Sequence, residues 1–281
     1  MASSLHAIAT ALMVPGDRPD RFDKAHQRCG HAMVIDLEDA VPPEGKAAAR
    51  AQVADYLAAG ASRAGPLVGV RINALTDANA LDDLTSLRDR ADALDFVAVP
   101  MVESGRDVQI VRAALGTSDL PVMAIIETIA GLDGARSIAA ALDGEGAIGF
   151  GAADYSAAAG MAMTRDALLP ARIRLVEAGA QGGVPCFDVP YLQIGDDAGL
   201  AAEAAYVRDL GFAGKLAIHP SQVQPIIEAF QPSADAVAQA DRVIEAFEQA
   251  GRVAIQVDGR MIDKPVYDQA LAVRARSGQA H

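Results

Sequence analysis

The feature that most narrows the fold is a repeated rhythm. Eight short apolar runs are separated by longer segments with helical spacing: "ATALMVP" (9–15), "AMVIDL" (32–37), "LVGVRI" (67–72), "DFVAVP" (95–100), "VMAIIE" (122–127), "AIGFG" (147–151), "VPCFDV" (184–189) and "KLAIHP" (215–220). The runs are apolar throughout instead of alternating, as parallel strands are when both faces are covered. The segments between them, such as "EGKAAARAQVADYLAAG", "SGRDVQIVRAALG" and "DAGLAAEAAYVRDLG", have helical spacing and end on glycine, a helix C-cap. Such a succession predicts an α/β fold, a (β/α)8 TIM barrel over residues 1–225. A doubly wound open sheet fits less well, because no glycine-rich dinucleotide fingerprint follows the first run.

Past Pro220 the rhythm changes. "PIIEAFQPSADAVAQADRVIEAFEQAG" reads as helices interrupted at Pro232. A short extended piece, a turn at Asp258-Gly259 and a further helix follow. Residues 226–281 are too few to stand alone and read as a C-terminal helical extension, a lid packed on the barrel or on a neighbouring subunit.

Composition removes several function classes. The formal net charge is −13 and there is no Lys/Arg-rich run, so a phosphate backbone is repelled and nucleic acid is not expected as a partner. No apolar run approaches the roughly 20 residues that a membrane helix needs. The N-terminal stretch lacks a charged leader region, so the expected location is the cytoplasm. Cys29 and Cys186 are far apart, without metal-type spacing, and read as buried thiols in a reducing compartment. The five histidines form no cluster, which argues against a histidine zinc site.

In a barrel the chemistry gathers where the strands end. Here the runs end in "VPGDRPDR", "DLED", "VRIN", "VPMVES", "IIET", "GFGAADY", "FDVP" and "IHPSQ". Glu127 and Asp154 follow adjacent strands. Two carboxylates without a nearby histidine suit a hard cation such as Mg²⁺, with Mn²⁺ a possible substitute. The alternative is that Glu127 caps a helix and Asp154 closes a turn. Arg71, at the end of a buried strand, needs an anion, and its planar fork suits a carboxylate, whether of a substrate or of the strand-two acids. Asp36, Glu38 and Asp39 crowd the end of strand two, where like charges repel. Alternation should send Glu38 and Asp39 to opposite sides, one facing the site to orient Arg71 or metal-bound water, the other binding backbone groups. Arg18, Arg21, Lys24 and Arg28 follow strand one and suit phosphates, or form a solvated helix face balanced by Asp17, Asp20 and Asp23. With Arg71 and Arg18, Gly16 and Ala152 at the ends of strands one and six complete the substrate-binding candidates. His219, before a proline, reads as a hydrogen-bonded structural group rather than a catalytic one.

These stretches, with "VIDLEDAVPPEGKAAAR", "IIETIAGL", "GFAGKLAIHPSQV" and "GRMIDKP", resemble in order the HpcH/HpaI aldolase–citrate lyase family, in its citrate lyase beta-like branch, over nearly the whole chain. The resemblance implies a TIM barrel with a C-terminal lid, Mg²⁺, an oligomer (trimer or hexamer), and reversible carbon–carbon cleavage of a 3-hydroxyacyl-CoA of the malyl or citramalyl type to acetyl-CoA and a 2-oxo acid. It implies Glu127 and Asp154 as metal ligands and Arg71 as the grip on the oxo acid. It also implies Asp263 as an acid/base carried by a neighbour's lid; the residues by themselves make Asp263 a turn or cap residue before Pro265. Two positions depart from the family: Met101, where relatives often have lysine, and Ala153, where they often have an acid.

Three rival readings remain. A Schiff-base aldolase needs a lysine at the mouth, yet Lys215 begins its strand instead of ending it. A true citrate lyase beta subunit would act on an acyl-carrier thioester inside a complex. A non-catalytic barrel subunit would not need Glu127, Asp154, Arg71 and Asp263 together.

Overall fold

The computed structural model describes residues 4–60, 65–257 and 259–277. It divides into two compact units, Met1–Ile227 and Glu228–His281. In the first, eight parallel strands close on themselves in chain order: β1 (Thr10–Pro15), β2 (Ala32–Asp36), β3 (Leu67–Arg71), β4 (Phe96–Val99), β5 (Val122–Ile126), β6 (Ala147–Phe150), β7 (Cys186–Asp188) and β8 (Gly214–Ala217). Closure is the pairing of β1 with β8, in the register Ala11 opposite Leu216. Helices cover the outside: α1 (Phe22–His26), α2 (Lys46–Ala58), α3 (Asn79–Arg88), α4 (Gly105–Leu115), α5 (Ile129–Leu142), α6 (Ala152–Ala159), α7 (Arg165–Gly182), α8 (Asp197–Leu210) and α9 (Pro220–Phe230).

Local chemistry fixes where the helices start and stop. Thr128 and Asp196 accept the backbone N–H of Gly131 and Gly199, capping α5 and α8, while Ser104 and Asp107 form a capping box at α4. Gly116, Gly160, Gly183 and Gly211 close α4, α6, α7 and α8 in the left-handed conformation. Inside the barrel, Ala11, Val34, Phe96, Met123, Ile125, Phe187 and Leu216 pack into one cluster. Gly69 makes room there, since a β-carbon on it would strike the Phe96 ring. Each large side chain buried this way is worth about 1.5–3 kcal/mol.

A second polar layer lies outside the barrel wall. Arg172 of α7 binds Asp188 with both arms, at 2.9 and 3.0 Å. Lys215 binds Asp188 at 2.7 Å and Glu203 of α8 at 2.5 Å. Phe187 and Leu216 point inward, so their neighbours Asp188 and Lys215 point out towards the helices. Lys215 is therefore a fully buried, paired structural group.

The second unit contains α10 (Ala234–Gln249), a two-stranded antiparallel piece of β9 (Ile255–Val257) and β10 (Arg260–Ile262), and α11 (Lys264–Ser277). Asp258, part of the expected turn, lies outside the described residues. Ala240, Val243, Ile244 and Phe247 form the apolar stripe of α10 and pack with Ile262, Tyr267 and Ala270. Phe247 stacks on Tyr267 with centroids 4.9 Å apart. No helix among the described residues is long and apolar enough to cross a membrane.

Candidate active site

The pleat of the barrel places the site. Side chains two apart share a face of a strand. Val34 lies in the core cluster and Asp36 follows it; Ile125 is followed by Glu127, Phe187 by Val189 and Leu216 by Ile218. Leu67 and Gly69 lead in the same way to Arg71. Each of these followers lines one cavity of about 400 Å³ at the carboxyl ends of the strands. Asp39, Gly151, Ala153, Asp154, Phe150, Pro190 and Leu192 complete much of its wall.

Arg71 resolves the crowding at the end of β2. It lies opposite Asp36 in the parallel register and donates to both Asp36 oxygens, at 2.7 Å each. Asp36 also accepts the N–H groups of Glu38 (2.9 Å) and Ala40 (3.1 Å), which folds the following turn around its carboxylate. Arg71 Nη1 is 2.7 Å from Glu38 and 3.5 Å from Asp39. Glu38 and Asp39 therefore do not go to opposite sides: the chain leaves the strand after Asp36, strand alternation ends there, and both turn back to the guanidinium. Burial pulls the Arg71 pKa down, but the bond to Asp36 and the charges of Asp36, Glu38 and Asp39 hold it above its ordinary value.

One guanidinium cannot serve three acids equally. The contact with Glu38 lacks hydrogen-bond geometry, and its buried Oε2 has no hydrogen-bond donor. Burial accordingly pushes Glu38 up to about 8 against the pull of Arg71, with Asp39, Glu127 and Asp36 adding to the rise. Lys46 fixes the turn from beneath through Leu37 O, Glu38 O and Asn73 Oδ1.

Glu127 ends β5. It is 3 % exposed, and its Oε1 accepts the N–H of Met101 at 2.7 Å. Burial raises its pKa to about 7, opposed by that N–H and reinforced by Asp154. Thr128, not Glu127, caps α5, and Asp154 stands exposed in the first turn of α6. Among the described residues no group of three or more His, Cys, Asp or Glu is arranged to hold a metal ion. The pair Glu127 and Asp154 still fits Mg²⁺: the donors are oxygen only, and such a cation takes one or two carboxylates and leaves its other positions to water and substrate.

A second cavity of about 370 Å³ is lined by Arg21, Lys24, Arg28 and His219. It shares Met13, Val14, Pro15 and Ile218 with the first, so the basic and acidic cavities adjoin.

A family model described as HpcH/HpaI aldolase/citrate lyase matches residues 9–220. The chain belongs to that family. It is 36% identical over 274 residues to the citrate lyase subunit beta-like protein of Deinococcus radiodurans, covering 94% of this chain and 95% of that one. It is 32% identical over 293 residues to the L-malyl-CoA/beta-methylmalyl-CoA lyase of Cereibacter sphaeroides, covering 93% and 92%. Among solved structures, the CitE protein of Mycobacterium tuberculosis in complex with magnesium, acetoacetate and coenzyme A superposes with a TM-score of 0.81 at 32% identity, over 96% of this chain and 98% of that one.

Against this aldolase/citrate lyase family background, the expected site residues sort by position. Arg71, Asp39, Glu127 and Asp154 share one cavity, with Glu38 against Arg71. Asp36, one of the three crowded acids, is the main partner of Arg71. Arg18 does not line either cavity; it forks onto Asp20 at 3.0 Å on the surface, and the basic wall is built by its neighbours instead. The helix after β1 is only the five-residue α1. Gly16 is buried at the β1–β2 crossing, where a β-carbon would sit 2.7 Å from Asp36 O. Ala152 is fully buried and Ala153 faces the cavity in its place. His219 caps the turn into α9 through Ser221 and lines the basic cavity. Asp263, in the second unit, accepts the N–H of Val266 at 3.2 Å and caps α11.

Proposed function

We propose that this chain is a Mg²⁺-dependent carbon–carbon lyase, with Mn²⁺ able to substitute. It would cleave a 3-hydroxyacyl-CoA of the citramalyl or malyl type into acetyl-CoA and a 2-oxo acid, reversibly. The observation that carries this reading is one cavity holding Glu127, Asp154 and Arg71 and opening onto a basic neighbour. The names of the relatives, lyases of citrate and malyl-CoA, support the reaction class. The solved relative's magnesium and coenzyme A support the cofactor and the thioester.

Glu127 and Asp154 would hold the cation. When bound, it supplies Lewis-acid stabilisation of negative charge on the substrate oxygens. Arg71, fixed by Asp36, would present Nη1 to the substrate carboxylate in exchange for its 2.7 Å contact with Glu38, and so orient the hydroxyl-bearing carbon. A carboxylate takes the hydroxyl proton as the C–O bond becomes a carbonyl, the electron pair of the broken carbon–carbon bond leaves on the thioester enolate, and the enolate carbon takes that proton back from the carboxyl to give acetyl-CoA. Asp263 of a neighbouring copy in a trimer or hexamer is the assigned carrier of that proton. Arg21, Lys24 and Arg28 receive the CoA phosphates, and the shared residues Met13 and Ile218 lie along the path of the pantetheine arm.

The rest of the wall favours an alkyl substituent. Met13, Ile125, Phe150, Val189, Leu216 and Ile218 line it, and Arg71 is the one cation among the lining residues. A second carboxylate, as in a citryl substrate, would meet Asp36 and Asp39 without a partner. Purified protein with Mg²⁺ is to be assayed on citramalyl-, malyl- and citryl-CoA. The expected order is citramalyl first, by about tenfold over malyl, the worth of one methyl group in an apolar pocket. No turnover of any of the three would overturn the reading; turnover only of an acyl-carrier thioester would favour a citrate lyase beta subunit instead.

A further inference from the structure

We propose that Met101 is a positioning residue for the Glu127 carboxylate and that it acts through its backbone, not its side chain. The inference rests on the reading of Glu127 as a cation ligand. Met101 has φ +53°, the left-handed region, at a residue that is not glycine. Such a conformation costs about 1–3 kcal/mol and persists only where its surroundings impose it. Here they do: the next residue is pinned to β5 by Val102 N–H on Ile125 O at 3.1 Å. The twist turns the Met101 N–H onto Glu127 Oε1 at 2.7 Å. Met101 is 37% exposed and does not line the cavity.

The other side of the carboxylate is held by space. Gly151 has φ −90°, which any residue can adopt, so flexibility does not explain the glycine there. A β-carbon at Gly151 would collide with Glu127 Oε2 and Cβ, and lie 3.0 Å from Cδ. Met101 follows β4 and Gly151 follows β6, the two strands that flank β5. The backbones of both neighbours thus clamp the group that ends the middle strand. One oxygen is engaged by an N–H, and Oε2 is left for the cation as a single, oriented donor. This also accounts for a methionine at a site-bordering position: the position demands a backbone angle and an N–H, whatever side chain stands there.

The test uses Mn²⁺ as the probe, with affinity read by electron paramagnetic resonance of free Mn²⁺ and folding read by circular dichroism on metal-free protein. Met101→Gly keeps the angle and the N–H and should bind Mn²⁺ as the native chain does. Met101→Pro removes both and should weaken binding by about 10–100-fold, the usual cost of losing a group that orients a ligand. Gly151→Ala should weaken it comparably from the other side and decides the matter if Met101→Pro does not fold. A folded Met101→Pro or Gly151→Ala protein with native Mn²⁺ affinity overturns the inference. Absence of Mn²⁺ binding by the native chain overturns instead the assignment of Glu127 as a ligand, and this inference with it.

Discussion

Glu38→Gln should stabilise the metal-free protein at pH 8 and leave it unchanged at pH 4. The carboxyl of Glu38 rises from an ordinary 4.5 to about 8, because burial outweighs a guanidinium already shared with Asp36 and Asp39. A carboxyl raised on folding binds a proton more tightly in the folded chain. Its contribution to stability is complete below the unfolded value of 4.5 and is lost as pH climbs through about 8. At about 1.4 kcal/mol per unit, the shift sets an upper bound near 4–5 kcal/mol. Relaxation of the turn and water entry at a side chain 14% exposed reduce this to roughly 2 kcal/mol. Glutamine has the shape of the protonated acid and never carries the charge. Melting curves in EDTA should therefore coincide at pH 4, below the unfolded value, and at pH 8 the variant should melt about 4–8 °C higher. If the 2.7 Å ion pair with Arg71 governed instead, the variant would lose about 1–3 kcal/mol at pH 8, and the reasoning from burial would be refuted.

Glu127, raised to about 7, must lose its proton to bind a cation, so Mn²⁺ affinity should be flat above pH 7 and fall about tenfold per unit below it; constant affinity from pH 5.5 to 8 would contradict this. Arg71→Lys loses the fork onto Asp36 and should melt lower by roughly 2 kcal/mol as well as raising KM, whereas unchanged kinetics would confine Arg71 to holding acids together. Asp263→Asn keeps the cap of α11, since asparagine caps as well as aspartate, yet cannot exchange a proton; kcat should fall about 10²–10⁴-fold with an unchanged melting curve. Mixing that variant with Arg71→Lys under subunit exchange should restore activity if the two residues serve one composite site, and mixed oligomers without activity would show that they do not.

The strand ends were legible because a parallel barrel writes its strands as continuous apolar runs, and the first polar residue after each run falls on the mouth. Glu127 and Arg71 stand out on that basis alone. Asp36 did not, because three acids in four residues look equivalent until the register sets Asp36 opposite Arg71. Alternation misplaces Glu38 and Asp39 for a related reason: it is a rule of strands, and the strand stops at Asp36. Arg18 was displaced by local geometry, a single 3₁₀ turn at Pro19–Arg21 that carries its neighbours to the cavity and leaves it on Asp20. In the sequence Met101 reads only as a missing lysine. A backbone angle has no letter in the sequence.

The acidic cavity has a kinetic consequence. Asp36, Asp39, Glu127 and Asp154 face it against the lone guanidinium of Arg71, in a chain of net charge −13. A hydroxyacyl thioester is itself an anion, and repulsion in a half-enclosed site opposes its entry until a divalent ion has offset most of that charge. Addition should then be ordered, with the ion as the leading ligand and the 2-oxo acid departing before it. The basic wall of Arg21, Lys24 and Arg28 gives the thioester a foothold outside this barrier. Its phosphate tail can dock while the reactive head waits at the threshold, so encounter and commitment become separate steps, and low salt should speed the first without hastening the second.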